Sequence, residues 1–259
     1  MQITGLTGKT ALVTGASKGI GRATAIALAH AGAHVVVNHR ASAAEASEVE
    51  QAIAQAGRQA LVVQADMGVT RDVDLLFERA IARFGGVDVA VHNAYYSQRA
   101  PAVDLTEQAW DRTLAVCLKG AFLVAQRAAR DLLRRQVEGS IVFISSIQAV
   151  RNPARSVAYN AAKNGLNGLA YTLAGELAAH HIRVNIIEPG WIDTPGERKY
   201  FGDDEIRATA PRLPWGRLGT PEEIANAVVF LASDLGAYVS GASLRVDGAL
   251  WLPHAGNVL

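Results

Sequence analysis

The chain has 259 residues, 50% of them hydrophobic and 19% charged, with a formal net charge of +1. That length allows a large core in one or two domains, and the near-neutral balance supplies no overall field for nucleic acid or a membrane surface. The single cysteine, Cys117, excludes an internal disulfide and a cysteine-rich metal cluster.

Short β-rich runs alternate with helical patterns along the chain. Strands are predicted over 11–14, 34–38, 60–65, 87–92, 140–145, 183–187 and 243–246. Helices are predicted around 20–31, 43–56, 71–84, 106–134, 157–180 and 221–233. Several strands are nearly continuous apolar runs, as expected of parallel strands covered on both faces. Ser42 with Glu45 and Thr220-Pro221 with Glu223 fit capped helix starts, and Gly32, Gly57 and Gly85 fall where helices should end. The alternation predicts an α/β fold of one Rossmann-type, doubly wound domain over 1–259, with a seven-stranded parallel sheet flanked by helices. The stretch from Pro189 to Thr220, rich in proline and glycine, is expected to be irregular and to act as a substrate loop or lid at about 190–220. No run is long and apolar enough to be read as a transmembrane segment, and no basic-apolar-cleavage pattern of a signal peptide is visible. With the lone cysteine, this gives a cytoplasmic expectation.

After the first strand comes Thr14-Gly15-Ala16-Ser17-Lys18-Gly19-Ile20-Gly21. Glycines here permit a tight turn and close approach of backbone to a pyrophosphate, and the following helix N-terminus offers free N–H groups. A strand before and a helix after are the context that gives such a turn meaning. The second strand ends at Asn38-His39-Arg40, with no carboxylate for ribose hydroxyls. Arg40, helped by Lys18, can pair with a 2′-phosphate, which predicts NADP in preference to NAD, with NAD still possible. In the 157–180 helix, Tyr159 and Lys163 are four apart and project from one face. An ammonium beside a phenol favours the phenolate and lowers its pKa, so Tyr159 is the candidate acid/base.

Together these residues resemble the classical short-chain dehydrogenase/reductase family, over nearly the whole chain from Lys9 to Trp251. The resemblance rests on the glycine turn, Asp66, His92-Asn93-Ala94, Ser146, Tyr159-(x)3-Lys163, and Pro189-Gly190 followed by Thr194. It implies that Asp66 and Met67 serve the adenine, and that Asn93 and Ala94 line the cofactor ribose. Pro189, Gly190, Ile192 and Thr194 would bracket the nicotinamide. Ser146 would bond the substrate oxygen, Tyr159 would transfer its proton, and Lys163 would bind the nicotinamide ribose and lower the tyrosine pKa. The family spacing selects Ser146, not Ser145. The resemblance further implies a homotetramer.

Two departures stand out. Cys117 sits where the family has an asparagine that holds a relay water, so a slower or rewired relay is expected unless the thiol simply packs. Tyr95 replaces a glycine, and with Tyr96 it is expected near the substrate mouth. The C-terminal third looks most like glucose 1-dehydrogenases and bacterial ketoreductases. The expected lining of Tyr95, Tyr96, Gln148, Val150, Trp191 and Tyr200 is more aromatic than acidic, which favours an apolar ketone, aldehyde or secondary alcohol over a sugar. Alternatives are a glucose 1-dehydrogenase-like sugar oxidation, a 3-oxoacyl carrier-protein reductase using Arg99, Arg151 and Arg155, and a non-enzymatic NADP(H) sensor suggested by Cys117. The histidines, including His180-His181, lack ligand spacing, so no metal is expected.

Overall fold

The computed structural model describes residues 5–252. Seven strands form one sheet: β1 (Thr10–Val13), β2 (His34–His39), β3 (Ala60–Gln64), β4 (Val89–His92), β5 (Gly139–Ile144), β6 (Ile182–Pro189) and β7 (Ser243–Val246). Their order is β3-β2-β1-β4-β5-β6-β7, and every pairing is parallel. Eight helices connect them: α1 (Gly19–His30), α2 (Ala43–Gln55), α3 (Thr70–Phe84), α4 (Glu107–Leu114), α5 (Gly120–Arg135), α6 (Val157–Leu177), α7 (Pro195–Thr209) and α8 (Pro221–Ala232).

The apolar runs have the physical reason expected of them. Alternate strand residues feed two separate cores. Leu12, Val36, Ala90, Ile141 and Phe143 pack with residues of α3, α5 and α6 on one face. Val13, Val35, Val37, Val91 and Val142 pack with residues of α1, α2 and α8 on the other. Chain order reverses between β1 and β4, so a crevice opens at the carboxyl ends of those strands, the usual ligand position in such sheets.

Three expectations are corrected. The predicted helix over 106–134 is two helices, α4 and α5, joined by a wider π-helical turn at Ala115–Lys119. Gly120 follows that turn, and a Cβ there would lie 2.5 Å from the Met67 carbonyl oxygen. The irregular stretch after Pro189 contains α7. Thr194 caps it by accepting from the Glu197 N–H, Pro195 opens it, and Gly202 interrupts it with φ 68. At α2, Ser42 makes no capping bond, whereas the Thr220–Glu223 capping box at α8 forms as expected.

A buried polar chain fastens three of the elements that carry site residues. Ser145 Oγ, at the end of β5, donates to Asn167 Oδ1 on α6 at 2.7 Å. Asn167 Nδ2 donates to Glu188 Oε1 on β6 at 2.8 Å, and Arg245 of β7 donates to Glu188 Oε2 at 3.2 Å. The Glu188 side chain is only 2% exposed, so its charge depends on these donors. Glu188→Ala is expected to lower stability by about 2 kcal/mol, because it strands the Asn167 amide. Glu188→Gln, which keeps an acceptor, should lose less. Urea unfolding of both variants checks this, and equal losses would contradict it.

Candidate active site

The glycine turn is held from behind by two side-chain amides. Asn93 Nδ2 donates to the carbonyls of Thr14 and Gly15 at 3.0 and 3.1 Å. Thr14 Oγ1 accepts in return from the N–H groups of Asn93 and Ala94 at 2.9 and 3.0 Å. Asn38 Oδ1 accepts from the Gly15 N–H at 3.1 Å, while its Nδ2 donates to the Ala65 carbonyl at 2.9 Å. Glycine is required at position 21, where a Cβ would lie 2.3 Å from the Gly15 oxygen. The first turn of α1 has no side-chain cap, so its leading N–H groups face outward for an anion.

One cleft of about 1180 Å³ runs from this turn to α7. Gly15, Ser17, Lys18, Gly19, Ile20, Asn38, Arg40, Asp66, Met67, Asn93 and Ala94 line its nucleotide half. Ser146, Tyr159, Lys163, Pro189, Gly190, Ile192 and Thr194 line the other half, with Tyr95, Tyr96, Gln148 and Trp191. Gly21 and His39 do not line the cleft. Gly21 backs the turn, and His39 is buried with its ring inside the protein.

At the centre, Lys163 is almost fully buried, and its Nζ donates to the Ile144 carbonyl at 2.6 Å. The ammonium stands 5.4 Å from the centroid of the Tyr159 ring. Ser146, at the mouth of β5, is hydrogen-bonded to the Tyr159 phenol and also accepts from the Gln148 N–H at 3.1 Å. The expected lowering of the phenol pKa is corrected here. Burial pushes Tyr159 well above its ordinary value, with Cys117 and Tyr95 adding to it and the Ser146 bond opposing it. Burial also pushes Lys163 down. Loss of water therefore outweighs the nearby cation, and the phenol is held in its proton-donating form.

Other predicted residues have partners that the sequence did not reveal. Asp66 receives a two-pronged bond from Arg112, at 2.9 and 2.7 Å, and accepts from the Gly68 N–H. The amides of Asn38 and Asn93, read as cofactor contacts, are spent on the protein's own backbone, Asn93 on the turn and Asn38 on Gly15 and the end of β3. Lys18 pairs with Glu45 at 2.5 Å, which draws the Glu45 carboxylate away from the start of α2 and brings it to a region read as free of acid.

A family model described as Enoyl-(Acyl carrier protein) reductase matches residues 15–250. A 3beta-hydroxysteroid dehydrogenase of Eggerthella lenta is 41% identical over 248 residues, 95% of each chain. A cis-4-hydroxycyclohexanecarboxylate dehydrogenase of Sinomonas cyclohexanicum is 43% identical over 242 residues, 93% of this chain and 95% of that one. The crystal structure of an Agrobacterium tumefaciens protein assigned as a 2-deoxy-D-gluconate 3-dehydrogenase, with bound NADP, superposes with a TM-score of 0.87. It is 38% identical and covers 96% of this chain and 98% of its own.

The chain belongs to the short-chain dehydrogenase/reductase family. It is an oxidoreductase acting on CH–OH and C=O groups with a nicotinamide cofactor, and among its described residues no helix is long and apolar enough to cross a membrane. Against the short-chain dehydrogenase/reductase pattern stated above, the Cys117 thiol acts locally. Its Sγ donates to the Tyr96 carbonyl at 3.3 Å and accepts from the Tyr96 N–H at 3.4 Å, pinning the loop after β4. Tyr95 stands edge-on to Tyr159, with ring centroids 6.4 Å apart. Residues that sequence reasoning missed are Glu197, Phe201, Arg112 and Ser42, all of which line the cleft. Only Arg112 had a possible signal, its helical position facing the acid after β3.

His92 lies directly beneath this centre. It is fully buried, with Nδ1 3.4 Å from Thr14 Oγ1 and no partner for Nε2 among the described residues. Burial, aided by the Lys163 charge, lowers its pKa to about 3. The unfolded chain takes up this proton below about pH 6.5 while the folded one does not, so stability falls as pH drops from there toward 3. At pH 5 the loss from this residue is about 2 kcal/mol. His92→Asn should remove that part of the decline. Urea midpoints of both proteins at pH 7.5 and pH 5 check this, and parallel declines would contradict it.

Proposed function

We propose that this protein is an NADP(H)-preferring carbonyl reductase and alcohol dehydrogenase for an apolar, ring-bearing ketone or secondary alcohol. The observation that carries the reading is the single cleft that joins the uncapped α1 terminus and glycine turn to the Ser146–Tyr159 pair. The residues present fit a dinucleotide. Gly15 and Gly21 leave no room for a side chain behind the turn, and the first N–H groups of α1 are free for its pyrophosphate. Arg40 and Ser42 line the cleft, and the Arg40 guanidinium makes no hydrogen bond among the described residues, which supports a 2′-phosphate there. Lys18 joins them only by leaving Glu45, so discrimination against NAD is expected to be moderate, not absolute.

The nicotinamide supplies or receives a hydride. Ser146 and Tyr159 point two hydroxyl donors at the oxygen on which negative charge grows. Tyr159, held protonated by its burial, gives that oxygen its proton in reduction; in oxidation it must first lose that proton, and the phenolate then takes the proton of the alcohol. Lys163 holds the floor of the site through Ile144 and is the residue for the nicotinamide ribose. Tyr95, Tyr96, Trp191 and Phe201 supply an aromatic wall suited to an apolar body. Both relatives described above are named for a hydroxyl on an alicyclic ring, which agrees with this wall, and the second bears a carboxylate on that ring. An apolar groove of Leu114, Ala115, Leu118, Phe122 and Leu169 on the outer side of α4, α5 and α6 supports self-association, with a homotetramer as the family expectation.

The reading is tested by following NADPH and NADH oxidation with cyclic and aryl ketones. Tyr159→Phe should lower turnover by about 10³-fold or more while nucleotide binding persists. Arg40→Ala should lower the NADPH-to-NADH ratio of kcat/KM by about tenfold. Tyrosine-independent turnover would overturn the proton-transfer role, and an unchanged ratio would overturn the phosphate role.

A further inference from the structure

The far wall of the cleft holds a guanidinium that pairs loosely with Glu197 and makes no hydrogen bond to a described residue. Arg99 lies in the loop after β4, lines the cleft, and its side chain is only 28% exposed. Its Cζ stands 5.0 Å from the Tyr200 ring centroid and 4.7 Å from that of Phe201. The nearest carboxylate is Glu197, at 3.7 Å, which is beyond hydrogen-bond length. That carboxylate already accepts from Trp191 Nε1 at 3.1 Å. No N–H of the Arg99 side chain makes a hydrogen bond to any described residue.

The side chain is still 28% exposed and lines the cleft, so its donors are left to water or to a ligand. A guanidinium presents five donors in a planar fork, and withdrawing them from water without acceptors is unfavourable. Stacking on two rings fixes the fork's orientation without satisfying its hydrogens. The fork's geometry matches a carboxylate, which takes two parallel N–H bonds. The position suits a substrate group as well. Tyr95 bridges the distance to the reacting centre, with its ring against Tyr159 and its hydroxyl against Gly196, the neighbour of Glu197. Arg99, beside Glu197, thus lies toward the hydroxyl end of Tyr95, and Tyr159 lies against its ring. The other arginine of this wall, Arg151, is committed to the Leu250 carbonyl.

We propose that Arg99 anchors a carboxylate borne by the substrate, so that the enzyme acts on keto acids and hydroxy acids whose reacting carbon and carboxylate are separated by an apolar ring or chain. This rests on the reading of the cleft as a carbonyl and alcohol site. Glu197 opposes the anchor, since it shares the guanidinium and repels the incoming anion. It thereby tunes how strongly the acid is preferred over a neutral ketone of the same shape.

The test uses 4-oxocyclohexanecarboxylate, its methyl ester and 4-methylcyclohexanone as probes, with NADPH oxidation as the readout. For the unmodified enzyme, kcat/KM for the keto acid should exceed that for the ester by about tenfold or more, with the difference in KM. Arg99→Gln should abolish that preference, and Arg99→Lys, which has charge but no fork, should restore only part of it. Glu197→Gln should increase the preference, and this arm stands even if the Arg99 variants fold poorly. A preference for the ester, an equal loss on all three probes in Arg99→Gln, or no gain in Glu197→Gln would overturn the anchor. So would Tyr159-dependent turnover of other ketones with none of the keto acid. Absence of Tyr159-dependent turnover with every carbonyl would instead overturn the reading of the cleft on which the anchor rests.

Discussion

The site depends on the attachment of the glycine turn to the ends of the neighbouring strands. Asn93 and Asn38 approach that turn from β4 and β2, and their amides occupy its otherwise unpaired backbone groups. Because a buried backbone donor or acceptor must be satisfied, these two side chains fix where β1 stops and α1 starts. The free N–H groups of α1 then face the crevice at the reversal of strand order. The polar chain from Ser145 through Asn167 to Glu188 does the same on the opposite side, setting β5, α6 and β6 relative to one another. The residues proposed for catalysis thus sit at strand ends and on one long helix, while much of the proposed aromatic wall comes from the loop after β4 and from α7.

Burial sets the chemistry of the centre. Lys163 is spaced to influence Tyr159, yet both are so far from water that desolvation dominates each, raising the phenol and lowering the ammonium. A protonated phenol beside a serine hydroxyl is ready to donate to a carbonyl oxygen. The same exclusion of water keeps His92 neutral below the site and raises Glu197 on the wall, where Arg99 and Trp191 pull it back.

Much of the fold was legible because parallel strands covered on both faces must be apolar throughout, as in Val35-Val36-Val37 and Ile141-Val142-Phe143. The lining of the cleft was legible because the glycine turn and the Tyr159–Lys163 spacing are local patterns. What failed depended on distant partners. α7 is polar, with mostly exposed residues and a glycine kink, so no apolar stripe announced it. Glu45 was read as a cap for α2, but it is drawn to Lys18 across space. Asn38 and Asn93 sat at the right positions, yet their amides face the turn. Arg99 was read only as one of three arginines at the mouth for a carrier protein, and the aromatic rings of α7, a hundred residues away, are what make it part of the cleft wall.

The central claim is that burial holds Tyr159 as the proton donor to a carbonyl. The most direct test is the pH dependence of single-turnover hydride transfer from NADPH to a ketone. The account predicts a rate that stays level between about pH 6 and about pH 9, because the phenol keeps its proton throughout that range. A rate that falls away with an apparent pKa near about 7 would contradict it, and would return the control of Tyr159 to the Lys163 charge.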